Sequence, residues 1–244
     1  MNEMNDQPEA SASAETCRPN LLQRIFGIFA SPKKILEDVA CRPDWAAPFI
    51  IILLATLILT QLCLPAILAD AEKAIEQAIE KQQLPAEQTE RAREIGMAYT
   101  KNFSAITAGA YTIVASVIAA AILLFVGNIV LGGKANFRQV FSIYLWTGLV
   151  GILAYLIRVP VALQQGTMKV YLGPAVLFPP EAEQSALFRI AAALDVFTIW
   201  RVILLAIGFA AIYRLSLSKS ITAVGTLYVL LIASSVIFAG AFGR

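Results

Sequence analysis

The chain has 244 residues, 58% of them hydrophobic and only 15% charged, with a net charge of +2. An ordinary soluble domain is nearer half apolar and one quarter charged, so this composition cannot furnish a soluble fold's polar coat; it specifies an integral membrane protein with several spans. Without histidine there is no His-based triad, general base or metal ligand, and Cys17, Cys41 and Cys63 form no CxxC pair of the kind thiolate zinc sites and redox motifs use.

Residues 1–19 are small, polar and acidic, and read as a disordered tail. They lack the basic start and apolar core of a cleavable signal, so the first long apolar run is expected to serve as an uncleaved signal anchor. Over 20–44, Leu21, Leu22, Ile25, Phe26, Ile28 and Phe29 cluster on roughly one helical face. Ser31-Pro32 then restarts a helix whose apolar side is Ile35 and Val39. Two readings stand open here: an amphipathic segment lying in the headgroup region, or a helix packed on the inner ends of the spans.

The first span is expected over about 45–69, with Trp45 at the interface and Pro65 near its far end. Residues 70–102 form the main polar loop. Ala71, Ile75, Ala78 and Ile79, and after Leu84-Pro85 also Ala92, Ile95 and Tyr99, recur at helical spacing, and Glu87 and Arg91 are an i,i+4 pair. The pattern predicts a helical hairpin extending the adjoining spans, as a solvated linker or as a partner-binding surface.

The second span, over about 103–131, would be roughly 43 Å long against a hydrocarbon core of ~30 Å, so it must tilt, kink or protrude. Ala115 with Ala119, and Ser116 with Ala120, put small residues four apart for close helix approach. Gly132-Gly133 ends it, and Asn128 near that end is expected to make an interhelical hydrogen bond. The third span covers about 140–163. The proline-broken piece from Leu172 to Pro180 is too short to span and is expected to lie at the interface, and residues 182–194 to form a short amphipathic helix. Spans four and five cover about 196–213 and 221–242. The fold class is therefore all-α: a polytopic membrane bundle of five transmembrane helices, 45–244, behind an N-terminal amphipathic segment.

Charge is uneven: residues 1–46 carry −2, residues 70–102 carry −2, and 103–244 carry +6. No basic block is dense enough for nucleic acid, and the excess is placed to meet anionic headgroups of the lipid bilayer. Three ionisable residues fall within or beside apolar runs, Arg158, Asp195 and Arg201. Intramembrane charges are costly and raise a functional hypothesis by default. The sharp reading is an ion pair of Asp195 with Arg158, with Arg201 snorkelling or joining it, tested by charge reversal. The bland readings are that Asp195 caps the fourth helix and that the arginines snorkel to phosphates. Nothing pairs a nucleophile with a base, so no enzymatic activity, metal or cofactor is expected.

Three stretches resemble the Yip domain family of polytopic membrane proteins, in its bacterial form. They are Ile28 to Asp38 (with Pro32) followed by Arg42-Pro43-Asp44-Trp45; Leu131-Gly132-Gly133-Lys134-Ala135-Asn136-Phe137 onward to Phe141; and Leu194-Asp195-Val196-Phe197-Thr198-Ile199-Trp200-Arg201 with Gly208. The resemblance implies five spans, a cytosolic N-terminus, an outer C-terminus, residence in a bacterial cytoplasmic membrane and no catalytic activity. Eukaryotic members of the family bind Rab GTPases and associate with one another. The Asp-Leu-Tyr-Gly-Pro motif of those members is absent here, so GTPase binding is not carried over. The function expected is non-enzymatic: scaffolding protein partners, including self-association through the spans, or organising and shaping the membrane. The alternative is a small transporter or channel component using Arg158, Asp195 and Arg201.

Overall fold

The structure, a computed structural model, describes residues 19–83, 85–179, 182–183 and 185–242. The tail expected over 1–19 lies, apart from Pro19, outside the described residues, as do Pro180 and Arg244. The helices are α1 (Leu21–Ala30), α2 (Pro32–Cys41), α3 (Ala46–Leu62), α4 (Leu64–Gln82), α5 (Ala86–Phe125), α6 (Phe137–Gln165), α7 (Ala186–Ala193), α8 (Val196–Tyr213) and α9 (Leu217–Phe242). Among the described residues there is no strand.

Local chemistry fixes most boundaries. Asn20 with Gln23, and Asn136 with Gln139, close reciprocal capping boxes on α1 and α6. Pro32 opens α2. The apolar run after Trp45 breaks at Cys63, and Pro65, tolerated in a first turn, begins α4. Gly166 at φ 64° ends α6, where a left-handed residue releases the helix.

Four helical stretches, Ala86–Val130, Phe137–Gln165, Val196–Tyr213 and Leu217–Phe238, are long and apolar enough to cross a membrane. A fifth is reached by taking α2 and α3 together, a pair bent by 119°. At 17 residues, α3 itself is about 26 Å long, the lower limit for a span. The protein is an all-helical integral membrane protein in contact with lipid.

Helices α3 and α4 run antiparallel to the single helix α5. Gly109 of α5 faces Leu53 and Leu57 of α3, and farther out Gly96 faces Ile75 of α4 while Arg93 pairs with Glu76 at 3.2 Å. With 40 residues, α5 is about 60 Å long, twice the hydrocarbon thickness. Its first half and α4 therefore stand beyond the bundle as a hairpin. A π-helical turn, Val126–Val130, closes the other end.

The core is built on α6, the most buried of the spanning helices, which packs against α2, α3, α5 and α8. Trp146, Ile143, Leu149 and Val150 of α6 meet Leu204 of α8 and Ile28, Ile35, Leu36 and Val39 of the N-terminal helices in one buried cluster. The apolar side of α2 is thus taken up by α6 and α8, and its C-terminal end is tied to the first turn of α6, where Gln139 Nε2 donates to Ala40 O at 3.3 Å. Helix α1 differs: Leu21, Leu22 and Phe26 remain exposed. Helix α9 is the least buried span and rests mainly on α8. The connection after α6 folds over α7, with Ala175, Phe188 and Ala191 buried together. It is tied down by Lys169 on Glu183 at 2.5 Å, a hydrogen bond that pushes the Lys169 ammonium pKa up, and by the Met168 amide donating to Asp70 at 2.7 Å.

Candidate functional site

Asp195 stands at the N-cap of α8 and is 5% exposed. Its Oδ1 accepts from the backbone N–H groups of Phe197 and Thr198, at 2.9 and 3.0 Å. Its Oδ2 accepts from the Thr198 hydroxyl and lies 3.5 Å from Nη2 of Arg158 on α6. Three hydrogen bonds and the Arg158 ion pair thus engage a carboxylate that offers about four lone-pair sites. In one geometry Asp195 caps α8 and lies within ion-pair distance of Arg158. Charge reversal is consequently a poor probe of the pair, since an arginine at 195 cannot accept from the two amides.

Arg201 does not join them. Its guanidinium lies over the Tyr144 ring, 4.6 Å from the centroid, a cation–π geometry. It reaches there past Gly148 of α6, where a Cβ would stand 3.6 Å from Nη2. No carboxylate lies within ion-pair distance of it among the described residues. Arg201 and Tyr144 form part of the wall of a half-open cavity of about 670 Å³ between α3, α5 and α6.

The positions that carry the family resemblance are packing and turn residues. Trp45 meets Phe49 and Phe141 at 6.0 Å between ring centroids, and Phe137 stacks on Phe141 at 5.3 Å. Trp200 meets Phe29 of α1 edge-on at 5.7 Å, and Phe197 packs on the same cluster. Pro32 starts α2, and Pro43 lies in the connection between α2 and α3. Gly132 has φ 69°, a left-handed turn that favours glycine, while Gly133 leaves room for the Tyr213 ring. Gly208 faces Ile143 where α6 and α8 cross.

Asn128 corrects an expectation. Instead of bonding another helix, it clasps its own connection: its amide donates to Ala135 O and its carbonyl accepts from Ala135 N, both at 2.9 Å. The closing Gly-rich turn needs its backbone groups satisfied, and a side chain seven residues back supplies them.

A further charged group escaped sequence reasoning. Arg24 of α1, with a side chain 14% exposed, pairs with Asp38 at 2.6 Å and Asp44 at 3.6 Å and sits beside the Trp146 ring. These residues lie on three successive elements, and no periodic signal links them. Trp146 Nε1 also donates to Asp44 O at 2.8 Å, fixing the α2–α3 connection to α6.

Among comparisons with known proteins, a family model described as the Yip1 domain matches residues 26–239. No curated protein and no solved structure matches the chain.

Proposed function

The chain belongs to the Yip1 domain family, and on that premise we propose that it is a non-enzymatic protein that scaffolds partners and shapes the bilayer. The observation that carries the reading is the face of α1. Leu21, Leu22 and Phe26 are 45%, 64% and 70% exposed, on a helix anchored to the bundle through Arg24. An amphipathic helix of this kind lies with its apolar face in the headgroup region. Held there by a rigid bundle, it occupies area in one leaflet and not the other, which favours curvature.

In liposomes carrying the purified protein, the wild type is expected to tubulate or shrink vesicles. Leu22→Asp/Phe26→Asp, which forfeits roughly 3–6 kcal/mol of apolar insertion, is expected to reduce that effect by at least half. Equal deformation by the double variant sinks the shaping role. One stable partner found by crosslinking in native membranes supports the scaffold role, with the α4–α5 hairpin as the surface to map. The orientation proposed is a cytoplasmic N-terminus in a bacterial cytoplasmic membrane and, with five spans, an outer C-terminus. A C-terminal reporter found in the cytosol overturns it. The transporter alternative rests on the Arg201 cavity; solute flux abolished by Arg201→Gln favours it over the scaffold. The engaged carboxylate of Asp195 argues against a transport role for that residue.

A further inference from the structure

We propose that the cavity between α3, α5 and α6 binds a hydroxylated organic anion, its phosphate or carboxylate on Arg201 and its hydroxyl groups on the threonine and serine oxygens of α5. This goes beyond the scaffold reading and does not depend on it. The cavity, about 670 Å³, falls within the ~300–1,000 Å³ of ligand sites. Its lining on α5 runs from Tyr99 to Ser116, about 25 Å by helical rise, from the end of the bundle that carries the hairpin down to the level of Tyr144.

The anion is called for by Arg201. A guanidinium held within a bundle without a counter-ion is costly, and the face of Tyr144 offsets only part of that cost. The guanidinium lies alongside Gly148 of α6, at van der Waals distance from where a Cβ would stand, and lines the cavity with Tyr144.

The hydroxyl requirement comes from where the donors of the wall are spent. Thr100, Thr107 and Thr112 donate to the carbonyls four residues back at 2.9 Å, and Ser116 does so at 2.6 Å. Their oxygens are left with lone pairs, which repel an occupant charged along its length and accept from one that brings O–H groups. The Ser104 hydroxyl, also on the wall, is buried with no hydrogen-bond partner. One cation and a row of acceptors thus select a ligand with a single anionic group and several donors. Such a group can come from solution, as in glycerol 3-phosphate or gluconate, or from the bilayer, as in the headgroup of phosphatidylglycerol.

The test is equilibrium binding to the full chain in detergent and in nanodiscs, using these three probes with sulfate and glycerol as controls. Two variants accompany it. Arg201→Gln removes the charge, and Gly151→Phe fills the cavity from a position where a Cβ meets nothing within 4 Å. Saturable binding of at least one probe is expected, weakened about 10–100-fold by Arg201→Gln and lost in Gly151→Phe at an unchanged melting temperature. If Arg201→Gln does not fold, Gly151→Phe alone decides. Binding by phosphatidylglycerol alone assigns the bilayer as the source, and binding by a free anion assigns solution. Saturation by none of the three overturns the proposal. So does binding undiminished in Gly151→Phe, or sulfate or glycerol binding as tightly as the hydroxylated anions.

Discussion

Asp195→Ala is expected to destabilise the protein by about 3–4 kcal/mol. Two losses combine. The cap of α8 is worth ~1 kcal/mol, and breaking a buried ion pair from one side costs ~3–5 kcal/mol. The second figure applies at its lower end, because the Arg158 side chain keeps 27% exposure and can turn toward headgroups. In detergent the melting temperature should fall by roughly 6–16 °C. Asp195→Asn keeps a good capping side chain and loses the charge, so its fall should be smaller than that of Asp195→Ala by about the 1 kcal/mol of the cap. Arg158→Met leaves Asp195 its three local donors, and it too should be milder than Asp195→Ala. A melting temperature for Arg158→Met as low as that for Asp195→Ala would show that the pair matters and the cap does not. The swapped double variant Arg158→Asp/Asp195→Arg should recover nothing, since the amides of Phe197 and Thr198 remain uncapped in it.

Gly208→Ala is expected to cost about 2 kcal/mol although it adds a single methyl. Its Cβ would overlap Cγ2 of Ile143, a residue 1% exposed on the most buried helix, so neither side can give. Ile143→Ala removes the obstructing atom and by itself leaves a hole, at ~2–5 kcal/mol. In the double variant the new methyl enters that hole, so its cost should lie ~1–3 kcal/mol below the sum of the single costs. Strict additivity would mean that the crossing of α6 and α8 is not set by this contact. Gly151→Ala is the matching control. It is also a helical glycine, yet its Cβ meets nothing within 4 Å, so it should be neutral or stabilise by up to ~1 kcal/mol.

These cases show what kind of information the sequence carries. An aspartate ahead of an apolar run is legible as a helix start because the cap and the helix are local. Pro65 marks a break for the same reason. The all-helical membrane class follows from composition. Where Arg201 ends up is not legible, because the ring it lies over, Tyr144, belongs to a different helix 57 positions away. The Arg24 cluster is hidden likewise: its acids lie beyond the helix that carries the arginine. Asn128 misled for the opposite reason. Its partner is nearby in the chain, but the turn that presents it is an irregular closure with no periodic signature. In the N-terminal segment α2 buries Ile35, Leu36 and Val39, while α1 buries Ile28 and leaves Leu21, Leu22 and Phe26 exposed, a split that one helical face read from sequence does not foretell.

The docking of α2 also sets an order in time. Leu36 of α2 and Leu204 of α8 belong to one buried cluster, yet 168 positions separate them in the chain. At ~5–20 residues per second of synthesis, the N-terminal helices wait about 8–34 s before α8, the last of the helices that cover them, exists. Through that interval Ile35, Leu36 and Val39 need another apolar host, and the nearest is the membrane surface on which the nascent chain is being assembled. The long-range docking of α2 therefore makes the beginning of the protein one of the last parts of its core to be completed.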